Sequence, residues 1–175
     1  MAIMKLVVAP DPLLKQKSKE IEKVDDSIRK LMDDMYETMI HHEGIGLAAV
    51  QVGVLKSIIV IELGESHDMD GPLYIANPKI ISNSDEISLY KEGCLSFPEQ
   101  NLEIERPAVI VLQFLDYHNN LQEITATGLL ATAIQHEMDH TNGIVIADHA
   151  SKLKHDMMMK KAKKIKSELE IDEDL

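Results

Sequence analysis

The ten residues 134–143, IQHEMDHTNG, place two histidines four apart with a glutamate directly after the first. A helix turns about 100° per residue, so His136 and His140 fall about 40° apart on one face with Glu137 beside them. Leu129, Leu130, Ala133 and Ile134 give the same segment an apolar surface, so the helix must be buried. It is read from Gly128 to about Thr141, with Thr127 as its cap and Gly143 as its stop signal. Two imidazoles can share one cation, but a catalytic metal takes three protein ligands and keeps one position open.

Several residues compete for the third place. The extended pattern HExxHxxGxxH holds as far as Gly143 and fails at Ile146. A distal glutamate would have to be Glu168 or Glu170, at the acidic end of the chain. Asp148 and His149 follow the apolar run 144–146, which leads them away from the metal face into a loop. The remaining candidate is Cys94, in YKEGCLSFP. A lone cysteine is more often a small buried hydrophobe, but Gly93 permits close backbone approach and the alternation around it fits a strand edge. The plain alternative is a buried helix with two hydrogen-bonded histidines and no metal.

Around this helix the periodicities predict an α+β fold: antiparallel or mixed sheets about a central HExxH helix, with an amphipathic helix at each end of the chain. Ile28, Leu31, Met32, Met35, Met39 and Ile40 form the first helix, capped by Asp25, Asp26 or Ser27 and ending at Gly44. Strands are expected at 57–63, 73–82, 85–90, 102–105 and 108–116, with a loop over 64–72 and a hairpin turned at Asn119-Asn120. The last helix, from about Ser151 to Leu169, carries Leu153, Met157, Met158, Ala162, Ile165 and Leu169 as its apolar stripe. The 175 residues suit one domain, residues 1–175, without repeats or linkers.

Charge and cysteine usage exclude several classes. One cysteine leaves no internal disulfide. No segment nears the roughly 20 apolar residues of a membrane span, and the start MAIMKLVVAPDP is too short a run for a signal peptide, so a cytoplasmic protein is expected. The net charge of −12 argues against wholesale binding to a phosphate backbone. Residues 151–166 are the exception, with seven lysines against Asp156.

Three blocks, GIGLAAVQVG at 44–53, EGCLS at 92–96 and QHEMDH at 135–140, occur in the order found in peptide deformylases, which the chain resembles over nearly its whole length. The likeness extends through Asn77-Pro78, EGCLSFPEQ and GLLATAIQHEMDH. It implies that Cys94 joins His136 and His140 around one divalent ion, Fe2+ in cells, with Zn2+, Co2+ or Ni2+ also suited to such a set. The implied reaction is hydrolysis of the formyl group from the formyl-methionine of new polypeptides. Water activated on the metal attacks, and Glu137 takes and returns the proton. The resemblance further implies Gln51 and the Leu95 N–H as oxyanion donors, with Ile45 and Gly46 making main-chain contacts to an extended peptide. Tyr90, Leu129, Thr132 and Ala133 would form the methionine pocket, with Gly93 on the substrate path.

Asp139 falls on the side of the helix away from Glu137 and reads as a supporting group, with Arg106 as its partner. Two residues depart from the family's usual pattern: Thr141 where leucine is common, which would loosen packing under the helix, and Asn101 where many members have arginine. Formyl-methionine belongs to bacteria and their derived organelles, which points to a bacterial cytoplasm. The lysine-rich last helix could then rest on ribosomal RNA near the exit tunnel, or be a solvated face. DNA and membranes are not expected partners. The rival readings are an HExxH endopeptidase, which would tolerate loss of Cys94, and a noncatalytic metal-binding relative.

Overall fold

The computed structural model describes residues 2–67 and 69–174. In chain order its elements are α1 (Asp26–His41), β1 (Gly46–Ala48), β2 (Ile58–Ile61), β3 (Leu73–Asn83), β4 (Ile87–Cys94), β5 (Phe97–Pro107), β6 (Val109–Leu115), β7 (Leu121–Thr127), α2 (Gly128–Thr141) and α3 (Lys152–Glu173). Single 3-10 turns lie at Pro12–Lys15, Ala49–Val52, Glu65–His67 and Ile146–His149.

Strand β2 is buried at all four positions, which requires cover on both faces. Ile59 and Ile61 join a cluster with Ile75, Ile110, Leu112, Ala131 and Ile134, so this face is closed by α2. Ile58 and Val60 join Ile28, Met32, Met35 and Met39 on the other, closed by α1. The sheet between the two helices has the order β1-β2-β3-β6-β7 and is antiparallel throughout. Strands β4 and β5 form a separate antiparallel hairpin that shares no ladder with it. A third cluster, including Leu14, Phe97, Ile104, Val145, Met158 and Ala162, ties that hairpin to α3.

Local chemistry sets the ends of these elements. Asp25 caps α1 by accepting a hydrogen bond from the Ile28 N–H at 3.0 Å. The helix stops at His41, three residues before Gly44, because Glu43 takes φ 58 and turns the chain out. Asn77, at φ 49, interrupts the β3–β6 register and clasps Ile21 through both halves of its amide. Asn119, at φ 63, turns the β6–β7 hairpin where the Asn-Asn pair predicts it.

Other expectations need correction. Thr127 occupies the N-cap position of α2, yet its side chain makes no capping hydrogen bond. Ile40 is exposed, as are half of the stripe residues of α3: Leu153 is 74% and Met157 61% accessible, and Leu169 is exposed too. Only Met158, Ala162 and Ile165 are buried, because α3 rests on the third cluster along a narrow line. Asp148 and His149 lie in a 3-10 turn rather than a loop. Thr141 is buried with its hydroxyl donating to the Met138 carbonyl at 2.6 Å, so the substitution is accommodated rather than left as a gap.

At the end of α2, Gly143 has φ +73, and a Cβ there would sit 2.4 Å from the Lys15 carbonyl oxygen. Gly143→Ala is expected to lower stability by about 2–4 kcal/mol, seen as a lower urea midpoint with an unchanged slope.

Candidate metal centre and active site

Cys94 ends β4, where the hairpin register slips: Gly93 faces Asn101, whereas Cys94 faces Phe97. Residues 98–100 are thereby bulged out, with Glu99 at φ 64, and the bulge re-aims the cysteine toward α2. One donor atom each from Cys94, His136 and His140 lie within 4.8 Å of one another. Cys94 Sγ is 3.3 Å from His140 Nε2. Among the described residues this is the group of three or more His, Cys, Asp and Glu side chains close enough to share an ion.

His136 Nδ1 donates to Glu92 Oε1 at 2.9 Å, which leaves Nε2 as the ring nitrogen on the side of Cys94. Glu92 in turn takes Arg106 Nε at 2.8 Å and Nη2 at 2.9 Å, and Arg106 Nη1 reaches Asp139 at 2.9 Å. The Asp139–Arg106 pairing expected from the sequence is therefore present. Burial favours the neutral form of Glu92, but the hydrogen bonds from His136 and Arg106 outweigh it and hold its carboxyl below the ordinary range. Burial likewise opposes charge on His136, yet its hydrogen bonds to Cys94 and Glu92 raise it well above the usual imidazole range. His140 goes the other way, lowered by burial and by cationic His136 and Arg106.

Glu137 follows His136 on α2, with its Oε1 3.8 Å from His136 Nε2. Burial first, then the negative charges of Glu92 and Asp139, push its carboxyl up to about 7. Its Oε2 and the His140 Nδ1 are buried without a hydrogen-bond partner among the described residues. A thiol, two imidazoles and an unpaired buried carboxylate oxygen fit a divalent cation with an adjacent proton acceptor. The glycine at 46 has a local reason too: a Cβ there would come 2.8 Å from Glu137 Oε1.

Cys94, His136 and Glu137 floor a groove with a volume of about 1130 Å³. Ile45, Gly46, Tyr90, Gly93, Leu95, Leu129, Thr132 and Ala133, all named from the sequence, line it with Cys94, His136 and Glu137. Gln51 and His140 do not line it. Gln51 is buried behind Cys94, its Nε2 donating to Ser96 Oγ at 3.1 Å and to Cys94 Sγ at 3.6 Å while its Oε1 accepts from the Ala48 N–H. Asn101 lines the groove as an exposed neutral side chain. Sequence reasoning missed Glu92 and Ser96, although Glu92 lies in the quoted EGCLS block, where an acidic residue two before the cysteine is the available signal. It also missed the outer rim, built from residues 41–43, the start of the chain and Leu169 and Glu173 of α3.

Comparison with known proteins points to one family. The family described as polypeptide deformylase matches residues 3–156. A peptide deformylase of Phenylobacterium zucineum is 50% identical over 164 residues, covering 94% of this chain and 97% of its own. One from Mesorhizobium japonicum is 47% identical over 165 residues, 94% of each. The crystal structure of the Ehrlichia chaffeensis peptide deformylase superposes with a TM-score of 0.90 at 46% identity, covering 95% of this chain and 98% of that one.

The raised carboxyl of Glu137 gives a stability test. Folded protein without metal keeps the Glu137 proton up to about 7, whereas the unfolded chain releases it near 4.5, so this residue's contribution to stability declines as pH rises between those values. In chelator-treated protein, Glu137→Gln is expected to gain about 3 kcal/mol over the parent at pH 8, relative to their difference at pH 4. Urea unfolding at the two pH values measures it.

Proposed function

Since the chain belongs to the peptide deformylase family, we propose that Cys94, His136 and His140 ligate one divalent cation at which this enzyme does its chemistry. It is a hydrolase of a metallohydrolase family and removes the N-formyl group from nascent peptides. The observation that carries the ligand assignment is the convergence of one sulfur and two imidazoles to within 4.8 Å of one another, beside the groove. When bound, the cation polarises the formyl oxygen and makes a water molecule acidic enough to lose its proton near neutral pH.

Glu137 accepts that proton and returns it to the departing methionine nitrogen, the role its buried, unpaired oxygen suits. Glu92 fixes the tautomer of His136 through Nδ1. The Leu95 N–H and the Gln51 amide are the proposed donors to the negative charge that develops on the formyl oxygen. Gln51 Nε2 donates to Ser96 Oγ at 3.1 Å and to Cys94 Sγ at 3.6 Å, which holds its amide beside Cys94. Ile45 and Gly46 offer main-chain groups to an extended peptide, Gly93 lies on its path, and Tyr90, Leu129, Thr132 and Ala133 hold the methionine side chain. Fe2+ is the proposed ion in cells, the donor set also accepting Zn2+, Co2+ or Ni2+.

The chain acts as one catalytic unit in the bacterial cytoplasm, a reading supported by its bacterial relatives. Among the described residues no helix is long and apolar enough to cross a membrane. Ribosomal RNA is the proposed surface for the lysines of α3, of which Lys152, Lys154, Lys160, Lys161, Lys163 and Lys164 are exposed.

Protein purified without oxygen should hold about one metal ion per chain and release formate from formyl-Met-Ala-Ser. Cys94→Ala should lose both. Glu137→Gln should keep the ion while turnover falls by about 10²–10⁴-fold. Full activity in Cys94→Ala would overturn the ligand assignment. Because deleting α3 would also expose Met158, Ala162 and Ile165, charge reversal at Lys160, Lys163 and Lys164 is the cleaner docking test, with ribosome cosedimentation falling steeply with salt in the parent and lost in the variant.

A further inference from the structure

The ion-pair chain behind His136 continues past Asp139. Asp139 Oδ2, which already accepts from Arg106, also accepts from His149 Nε2 at 2.7 Å. His149 closes the 3-10 turn Ile146–His149, the link between α2 and α3. That turn is fixed independently of the site. Asp148 within it accepts from the Val145 N–H, pairs with Lys15, and lies 3.4 Å from His155 in the first turns of α3. His149 is therefore a donor held from behind and aimed at the outermost carboxylate of the network.

We propose that His149 is a positioning residue for the metal centre, acting through Asp139, Arg106 and Glu92 on the ring of His136. The argument is one of anchoring. The Arg106 and Glu92 side chains are 6% accessible, whereas that of Asp139 is 21% accessible and borders solvent. Asp139 is Arg106's third contact, beside the two it makes with Glu92. Without His149 the Asp139 carboxylate keeps one side-chain anchor and can swing toward water. Arg106 and Glu92 then turn as a unit, and the bond that aims His136 loses its fixed direction. Groups that touch a ligand cost about 10–100-fold in affinity or activity when removed; His149 lies further out, so the expected effect is about 3–10-fold.

The proposal rests on the reading of Cys94, His136 and His140 as ligands, and the test separates the two. His149→Ala and His149→Gln are compared with the parent in two assays: competition titration of chelator-stripped protein with Co2+, and the NMR resonance of the His136 Nδ1–H in metal-free protein. His149→Ala should bind Co2+ about 3–10-fold more weakly, shift or broaden the His136 resonance, and lower kcat with KM unchanged. His149→Gln, which keeps an N–H donor, should restore all three to within about twofold. A His149→Ala protein with the parent's Co2+ affinity and an unmoved His136 resonance overturns the proposal, as does one that loses thermal stability alone. A parent that takes up no Co2+ overturns the ligand reading instead, while the metal-free His136 resonance still decides for or against His149.

Discussion

Helix α2 carries an unusual load for an interior element: Gln135, His136, Glu137, His140 and Thr141 are all buried. An unpaired charge in such a place costs several kcal/mol, so the helix can sit at the centre only if partners arrive from elsewhere. Those partners come from the β4–β5 hairpin, which delivers Glu92, Cys94 and Arg106. Pairing across this gap dictates where the hairpin docks. The groove exists because the hairpin, the turn after α1 and α2 meet around these groups without filling the space between them.

Much of this was legible in the sequence because local patterns carried it. The 3.6-residue period marked α1 and α2, the Asn119-Asn120 turn marked its hairpin, and the HExxH spacing put two imidazoles and a carboxylate together without any tertiary information. Cys94 was different. Its residue type was suggestive, but its approach to α2 depends on a register slip opposite residues 97–101 that no nearby turn signal announces. Family resemblance, not local physics, singled it out as the proposed third ligand. The roles of Glu92 and Ser96 were invisible for a related reason: each is defined by a partner more than 40 residues away, His136 and Gln51 respectively.

The errors share a cause as well. Treating α3 as a full amphipathic helix overstated its buried face, since apolar spacing cannot say how broad a surface the fold will present to it. In the structure that surface is a strip that includes the hairpin and the turn before α3; it packs Met158, Ala162 and the half-buried Met159, and Ile165 is the other buried residue of the helix. Discounting His149 as a loop residue followed from ruling it out as a ligand, when its partner is Asp139, the chain neighbour of His140.

The separateness of the β4–β5 hairpin matters beyond geometry. Two strands are marginal without further support, and this pair borrows its support from helices rather than from the main sheet. Cys94 sits at its very tip. An ion gripped there by thiolate and imidazoles would act as a rivet between two plates, so catalytic competence and the mechanical coherence of the molecule would leave together when the ion is stripped away.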